Sequence, residues 1–130
     1  MPNRSDILRK YKTIAVVGLS NNPMRPSHGV SEYMQHHGYR IIPVNPGHAQ
    51  ILGEKSYRKL EDIPEPVDIV NIFRRSEMIP PIVDSAIAIG AKVVWMQEGI
   101  QHEEAAEKAR AAGLEVVMNT CILKEHHRLS

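Results

Sequence analysis

Thr13-Ile14-Ala15-Val16-Val17-Gly18-Leu19-Ser20, followed by Asn21-Asn22-Pro23-Met24-Arg25-Pro26-Ser27-His28-Gly29, is the stretch on which the fold turns. Its first part is apolar, rich in β-branched residues, and stops at a glycine. It does not alternate polar with apolar residues, which predicts a strand covered on both faces. The second part is a polar bend stiffened by two prolines, and a helical spacing begins near Val30. Strand, tight turn and helix in that order predict an anion site, because a helix start offers free N–H groups and a positive dipole end.

Working outward, strands and helices alternate along the chain. A short helix is predicted over Asp6–Tyr11, capped by Ser5 or Asp6, and strand one over Thr13–Val17. The first crossover helix runs from about Ser27 to His37 and is closed by Gly38. Strand two, Arg40–Val44, contains Pro43, which predicts irregularity or a sheet edge there. Residues Gly53–Tyr57 read as a loop or short extended piece, and Leu60–Pro66 as a proline-broken connection. Val67–Phe73 is a further strand, and Ser76 caps a helix to about Ile89 with Pro80 and Pro81 in its first turn. Ala91–Met96 is a strand, His102–Ala112 an amphipathic helix, Leu114–Met118 the last strand and Cys121–Leu129 a terminal helix. The expected fold is α/β: a Rossmann-like, doubly wound, mainly parallel five-stranded sheet with helices on both faces, in one domain over residues 1–130.

Composition narrows the function. A formal net charge of +1 gives no global pull toward nucleic acid or an anionic membrane. No apolar run is long enough to cross a bilayer, and the start of the chain leads into charge instead of an apolar signal core. The single cysteine, Cys121, cannot form an internal disulfide. These features predict a cytoplasmic protein. His36-His37 and His126-His127 suggest metal binding, but adjacent helical residues point apart, so solvated histidines are expected and no metal site.

In a sheet of this type the ligand lies beyond the carboxyl ends of the strands. Those ends are Gly18-Leu19-Ser20-Asn21, Asn45-Pro46-Gly47, Phe73-Arg74-Arg75, Gln97-Glu98-Gly99 and Asn119-Thr120-Cys121. Amide side chains, glycines and arginines at one edge suit a phosphorylated nucleotide. A dinucleotide fingerprint with three spaced glycines is missing, since Gly18 is followed by no glycine until Gly29. Asn45 and Pro46 stand where an acidic residue would hold the ribose of a nicotinamide nucleotide. A Walker-type phosphate loop is missing too.

Taken together, Gly18-Leu19-Ser20, Pro23-x-Arg25-x-Ser27, Pro43-Val44-Asn45-Pro46, Asp68 to Arg74, Gly90 to Ile100 and Val117-Met118-Asn119-Thr120-Cys121 resemble the small stand-alone CoA-binding proteins. These are similar to the CoA-binding domain of the succinyl-CoA synthetase α subunit. The resemblance covers about Ile7 to Leu129. It implies that Gly18, Leu19, Ser20 and Asn21 hold the coenzyme A phosphates, with Arg25 pairing to one and Ser27 in the same motif. It implies that Asn45 and Pro46 border the adenosine, that Phe73 and Arg74 line the pantetheine path, and that Met96, Gln97 and Glu98 sit beneath it. The chain is expected to end before the phosphohistidine domain of the synthetase, so that reaction is not implied. The expected function is binding of CoA or an acyl-CoA without evident catalytic residues, with a protein partner left open. The alternative is a small α/β enzyme, either a nicotinamide-nucleotide oxidoreductase or an acyl-transfer enzyme using Cys121.

Overall fold

The structure, a computed structural model, describes residues 4–129. Helix α1 spans Arg4–Lys10, strand β1 Thr13–Val17, helix α2 Pro26–His36 and strand β2 Arg40–Val44. A small antiparallel hairpin follows, β3 (Gln50–Ile51) and β4 (Glu54–Lys55). Then come β5 (Ile69–Ile72), α3 (Ile79–Ala88), β6 (Val93–Met96), α4 (Glu103–Ala111), β7 (Glu115–Val117) and α5 (Ile122–His127). Short 3-10 turns at Leu60–Asp62 and Ser76–Met78 precede β5 and α3.

Five strands form one parallel sheet in the order β2-β1-β5-β6-β7. The chain leaves β1 for β2 on one side and later returns to β5 on the other, so the winding reverses between β1 and β5. That is where a doubly wound sheet opens a crevice at its carboxyl edge.

Alternation along each buried strand divides the core in two. Ala15, Val17, Val70, Ile72, Val94 and Met96 pack under α3 and α4, against Ile79, Val83, Ala105 and Ala109. Ile14, Val16, Ile69, Val93 and Trp95 face the opposite way, against Ile7 and Leu8 of α1, Met34 of α2 and Ile122 of α5. The continuous apolar character of β1 and β6 is therefore the signature of strands with two buried faces. Trp95 is fully buried, and its indole N–H donates to the Thr120 carbonyl at 2.8 Å.

Pro43 is accommodated as the sequence predicts, because β2 is an edge strand. Its carbonyl accepts from Tyr57 N–H at 3.0 Å on the side away from β1. The N and C=O of one strand residue point the same way, so the ring nitrogen also faces outward and costs the sheet no bond.

Several boundaries differ from the sequence reading. Helix α1 is already under way at Arg4, ahead of the expected caps. Ser76 opens a 3-10 turn and not the helix; α3 starts at Ile79, with proline in its first turn. The His102 ring Nδ1 accepts from Ala105 N–H at 3.1 Å and so caps α4. One histidine of each pair is not simply solvated. His37 stacks on Tyr33 with centroids 4.1 Å apart, and His126 Nδ1 lies 2.9 Å from the Tyr33 hydroxyl. Among the described residues no helix is long and apolar enough to cross a membrane, and no cluster of three metal-ligating side chains forms.

Candidate anion-binding cleft

The carboxyl ends of β1, β2 and β5 enclose a cleft of about 600 Å³. The loop after β1 supplies Gly18, Ser20, Asn21 and Asn22, and the turn after β2 supplies Asn45, Pro46 and His48. Arg74 enters from the end of β5 and Arg58 from the connection after the hairpin. Val17, Val44, Met78, Pro81 and Ile82 make the apolar wall. Two guanidinium groups line the space and no carboxylate does, so its electrostatics favour an anion.

Gly18 is where the strand must end. Its φ is +88°, and a Cβ there would lie 2.6 Å from the Phe73 carbonyl oxygen and 2.9 Å from Arg74 Cδ. A side chain is therefore excluded both by backbone conformation and by the close passage of β5. Gly18 N–H donates to the Val44 carbonyl at 3.1 Å, and Phe73 N–H to Val17 at 2.9 Å. The three strand ends are thus fixed to one another before any ligand arrives.

The loop beyond Gly18 is partly occupied by its own side chains. Ser20 N–H donates to Ser27 Oγ at 2.9 Å, Asn22 N–H to Ser20 Oγ at 3.0 Å, and Met24 N–H to Asn22 Oδ1 at 3.0 Å. Arg25 N–H donates to the Asn22 carbonyl. Among the described residues the N–H groups of Leu19, Asn21 and Ser27 have no acceptor within the chain. Of the three, Asn21 lines the cleft and is exposed, so its N–H is the donor open to an anion, while Leu19 and Ser27 are buried behind it.

Asn45 ties the β2 turn to this loop. Its amide nitrogen donates to the Leu19 carbonyl at 2.9 Å, and its Oδ1 accepts from Gly47 N–H at 2.8 Å. Tyr57 bridges Val44, and Ser56 Oγ donates to the Asn45 carbonyl at 3.0 Å. That pairing carries Arg58 to the cleft. At the far end the Arg40 guanidinium grips Glu65 and Glu54, which holds the Glu65 carboxyl below its usual range through the hydrogen bond and anchors the excursion.

Of the residues expected at the site, Gly18, Ser20, Asn21, Asn45, Pro46 and Arg74 line the cleft. The others do not. Leu19 and Met96 are fully buried in opposite halves of the core. Ser27 is buried and spends its hydroxyl on the loop. Arg25 stands exposed at the start of α2, and Phe73 packs against the α1/α2/α5 core face. Gln97 is buried with its Oε1 accepting from Ile122 N–H at 3.0 Å, so it serves the start of α5. Glu98 is exposed and paired with Lys124 at 3.0 Å. All five strand ends lie on one edge of the parallel sheet, but the cleft is built from those of β1, β2 and β5, and β6 and β7 end outward of β5, away from the crevice. Cys121 goes with them, in a separate small hollow with Glu98, Asn119 and Lys124.

His48 and Arg58 were missed by the sequence reading. Both lie in the connection between β2 and β5, and the pairing of Ser56 and Tyr57 with the end of β2 brings that connection back. Met78, Pro81 and Ile82 were missed as lining because their helical spacing reads equally well as core.

Fold and cleft define the class first: a doubly wound α/β domain with a cationic crevice at its switch point. The family model described as "CoA binding domain" matches residues 12–127, and the chain belongs to that family. It is 46% identical over 121 residues to the Bacillus subtilis uncharacterized protein YneT, covering 93% of this chain and 90% of that one. It is 30% identical over 95 residues to acetate–CoA ligase (ADP-forming) II of Archaeoglobus fulgidus, covering 71% of this chain and only 14% of the ligase. A solved structure, a hypothetical protein from Pyrococcus horikoshii OT3, superposes with a TM-score of 0.93 at 42% identity, covering 98% of this chain and 92% of that one.

Proposed function

We propose that this protein holds coenzyme A or an acyl-CoA in the cleft at the β1/β5 switch point. The observation that carries the reading is the meeting there of the loop Gly18–Asn22, with the unpaired Asn21 N–H, and the guanidinium groups of Arg58 and Arg74, in a lining free of carboxylates. The pyrophosphate lies against the loop Gly18–Asn22, with the two guanidinium groups neutralising it. The apolar wall of Met78, Pro81 and Ile82 continues into an adjoining recess of about 190 Å³ shared with Leu60, which gives one organic arm of the coenzyme a dry surface. Membership in the CoA binding domain family supports the choice of this anion over other nucleotides. The names of the acetate–CoA ligases support it too.

The cleft is read as a holding site. Neither a thiol nor a carboxylate lines it, and Cys121 opens into a different hollow. Calorimetric titration with CoA, dephospho-CoA and NAD tests the reading. Saturable heat with CoA, weakened in Arg74→Ala and unchanged in Cys121→Ser, is expected. Binding of NAD with no heat from CoA would overturn it.

A further inference from the structure

The two edges of the sheet are treated differently. The β2 edge is blunted by Pro43 and covered by Tyr57. The β7 edge has neither proline nor lysine, and its outer side opens into a groove of about 930 Å³. An open edge with apolar side chains is a template for another strand unless something blocks it.

The hydrogen-bonding groups left on that edge can be enumerated. Glu115 N–H donates to the Lys92 carbonyl, so Glu115 and Val117 direct their backbone groups at β6. By the alternation of a strand, Val116 and Met118 direct theirs outward. Leu114 N–H is used by the Ala109 carbonyl, and the Met118 carbonyl accepts from Thr120 Oγ1 at 2.8 Å. What remains, among the described residues, is Leu114 C=O, Val116 N–H, Val116 C=O and Met118 N–H.

This set is complementary to itself. We infer that β7 is a homodimer interface, in which the β7 strands of two copies pair antiparallel about a two-fold axis at Val116. Val116 then exchanges both its backbone bonds with the partner's Val116, and each Met118 N–H donates to the Leu114 carbonyl across the axis. Every outward group is used, and those already bonded within the chain are the ones this register leaves over. A parallel or shifted partner would strand at least one of them.

Side chains agree with the register. Leu114, Val116 and Met118 all belong to the α3/α4 face of the core, and Val116 and Met118 are only partly covered. Across the axis Val116 meets Val116, and Leu114 meets Met118, which are apolar cross-strand pairs. The groove's charged residues, Arg4 and Arg110 with Glu115 and Glu125, are balanced in sign, so a second copy meets no like-charge barrier. The pairing makes one continuous sheet of two copies and is independent of the CoA reading.

Sedimentation and light scattering on the whole chain test it. A dimer is expected for the wild type, and Val116→Lys, which sets a charge on the axis, is expected to give a folded monomer by circular dichroism. Should Val116→Lys fail to fold, Val116→Cys in a Cys121→Ser background provides a second reading. Paired residues with Cα atoms about 5.5 Å apart can form a disulfide, so oxidation should yield a covalent dimer. A matched Arg75→Cys control should not. A wild type monomeric at every concentration, a dimer that survives Val116→Lys, or a Val116→Cys variant that cross-links no more than the control would each overturn the proposal.

Discussion

Replacing Gly18 by alanine is the sharpest perturbation of the strand-turn-helix. Two costs add. At φ +88° an L-residue loses about 1–2 kcal/mol relative to glycine. The new Cβ would also sit 2.6 Å from the Phe73 carbonyl oxygen, a backbone atom at the end of β5 that cannot rotate away. Moving it strains the bond from Phe73 N–H to Val17 at 2.9 Å and pushes Arg74 off the loop, since Arg74 Cδ would be 2.9 Å from the same Cβ. Strain of that kind costs about 1–3 kcal/mol more. Gly18→Ala should therefore destabilise by roughly 2–5 kcal/mol in urea unfolding and weaken CoA binding in the fraction that stays folded. Gly29→Ala is the internal control: it lies within α2, has ordinary φ and no atom within 4 Å of a Cβ, so it should stabilise by roughly 0.5–1 kcal/mol. If Gly18→Ala unfolds within about 0.5 kcal/mol of wild type, the geometric reasoning about the loop is wrong.

Other outcomes follow from the same contacts. Arg74→Ala and Arg58→Ala should each weaken CoA by roughly tenfold, the scale of one charge-assisted bond near solvent, with weaker dependence on salt; calorimetry at two ionic strengths reads both. Asn45→Ala removes the bonds to Leu19 and Gly47 and should cost about 1–2 kcal/mol in denaturant unfolding, with CoA affinity falling as the two turns part. His126 is held below the ordinary histidine range, first by burial and then by the charges of His37, Lys12 and His127. A histidine whose folded pKa is depressed binds its proton more readily in the unfolded chain. Stability should therefore fall as pH drops through about 6.5 and level off below the folded value; His126→Gln should flatten that slope in unfolding curves between about pH 5 and 8.

How far the sequence reached can be seen residue by residue. Thr13–Val17 was legible because a strand buried on both faces has no polar phase to misread. Pro43 marked β2 as irregular or at a sheet edge, because a missing N–H is tolerated at edges and bulges, and the edge is what occurs. Gly18 was legible as a turn, though not the reason it must be glycine, which lies in β5, more than fifty residues downstream. Direction was the main failure. Gln97 and Glu98 stand at a strand end, as expected, but β6 lies one strand outward of the β1/β5 crevice, and there one serves α5 and the other pairs with Lys124. Arg58 failed for the opposite reason: nothing local marks it, and a two-residue contact at Val44 and Tyr57 decides where it goes. The aromatic packing of His37 and His126 was hidden likewise, since it joins α2 to α5 across most of the chain.

Where the coenzyme sits is best read from backbone amide resonances during a CoA titration of the full chain. The proposed site predicts the largest shifts at Ser20, Asn21 and Asn22, which line the cleft and include the unpaired Asn21 N–H, with further changes at Asn45, Arg58 and Arg74. Shifts confined to Gln97, Asn119 and Cys121, with the loop after β1 silent, would contradict it.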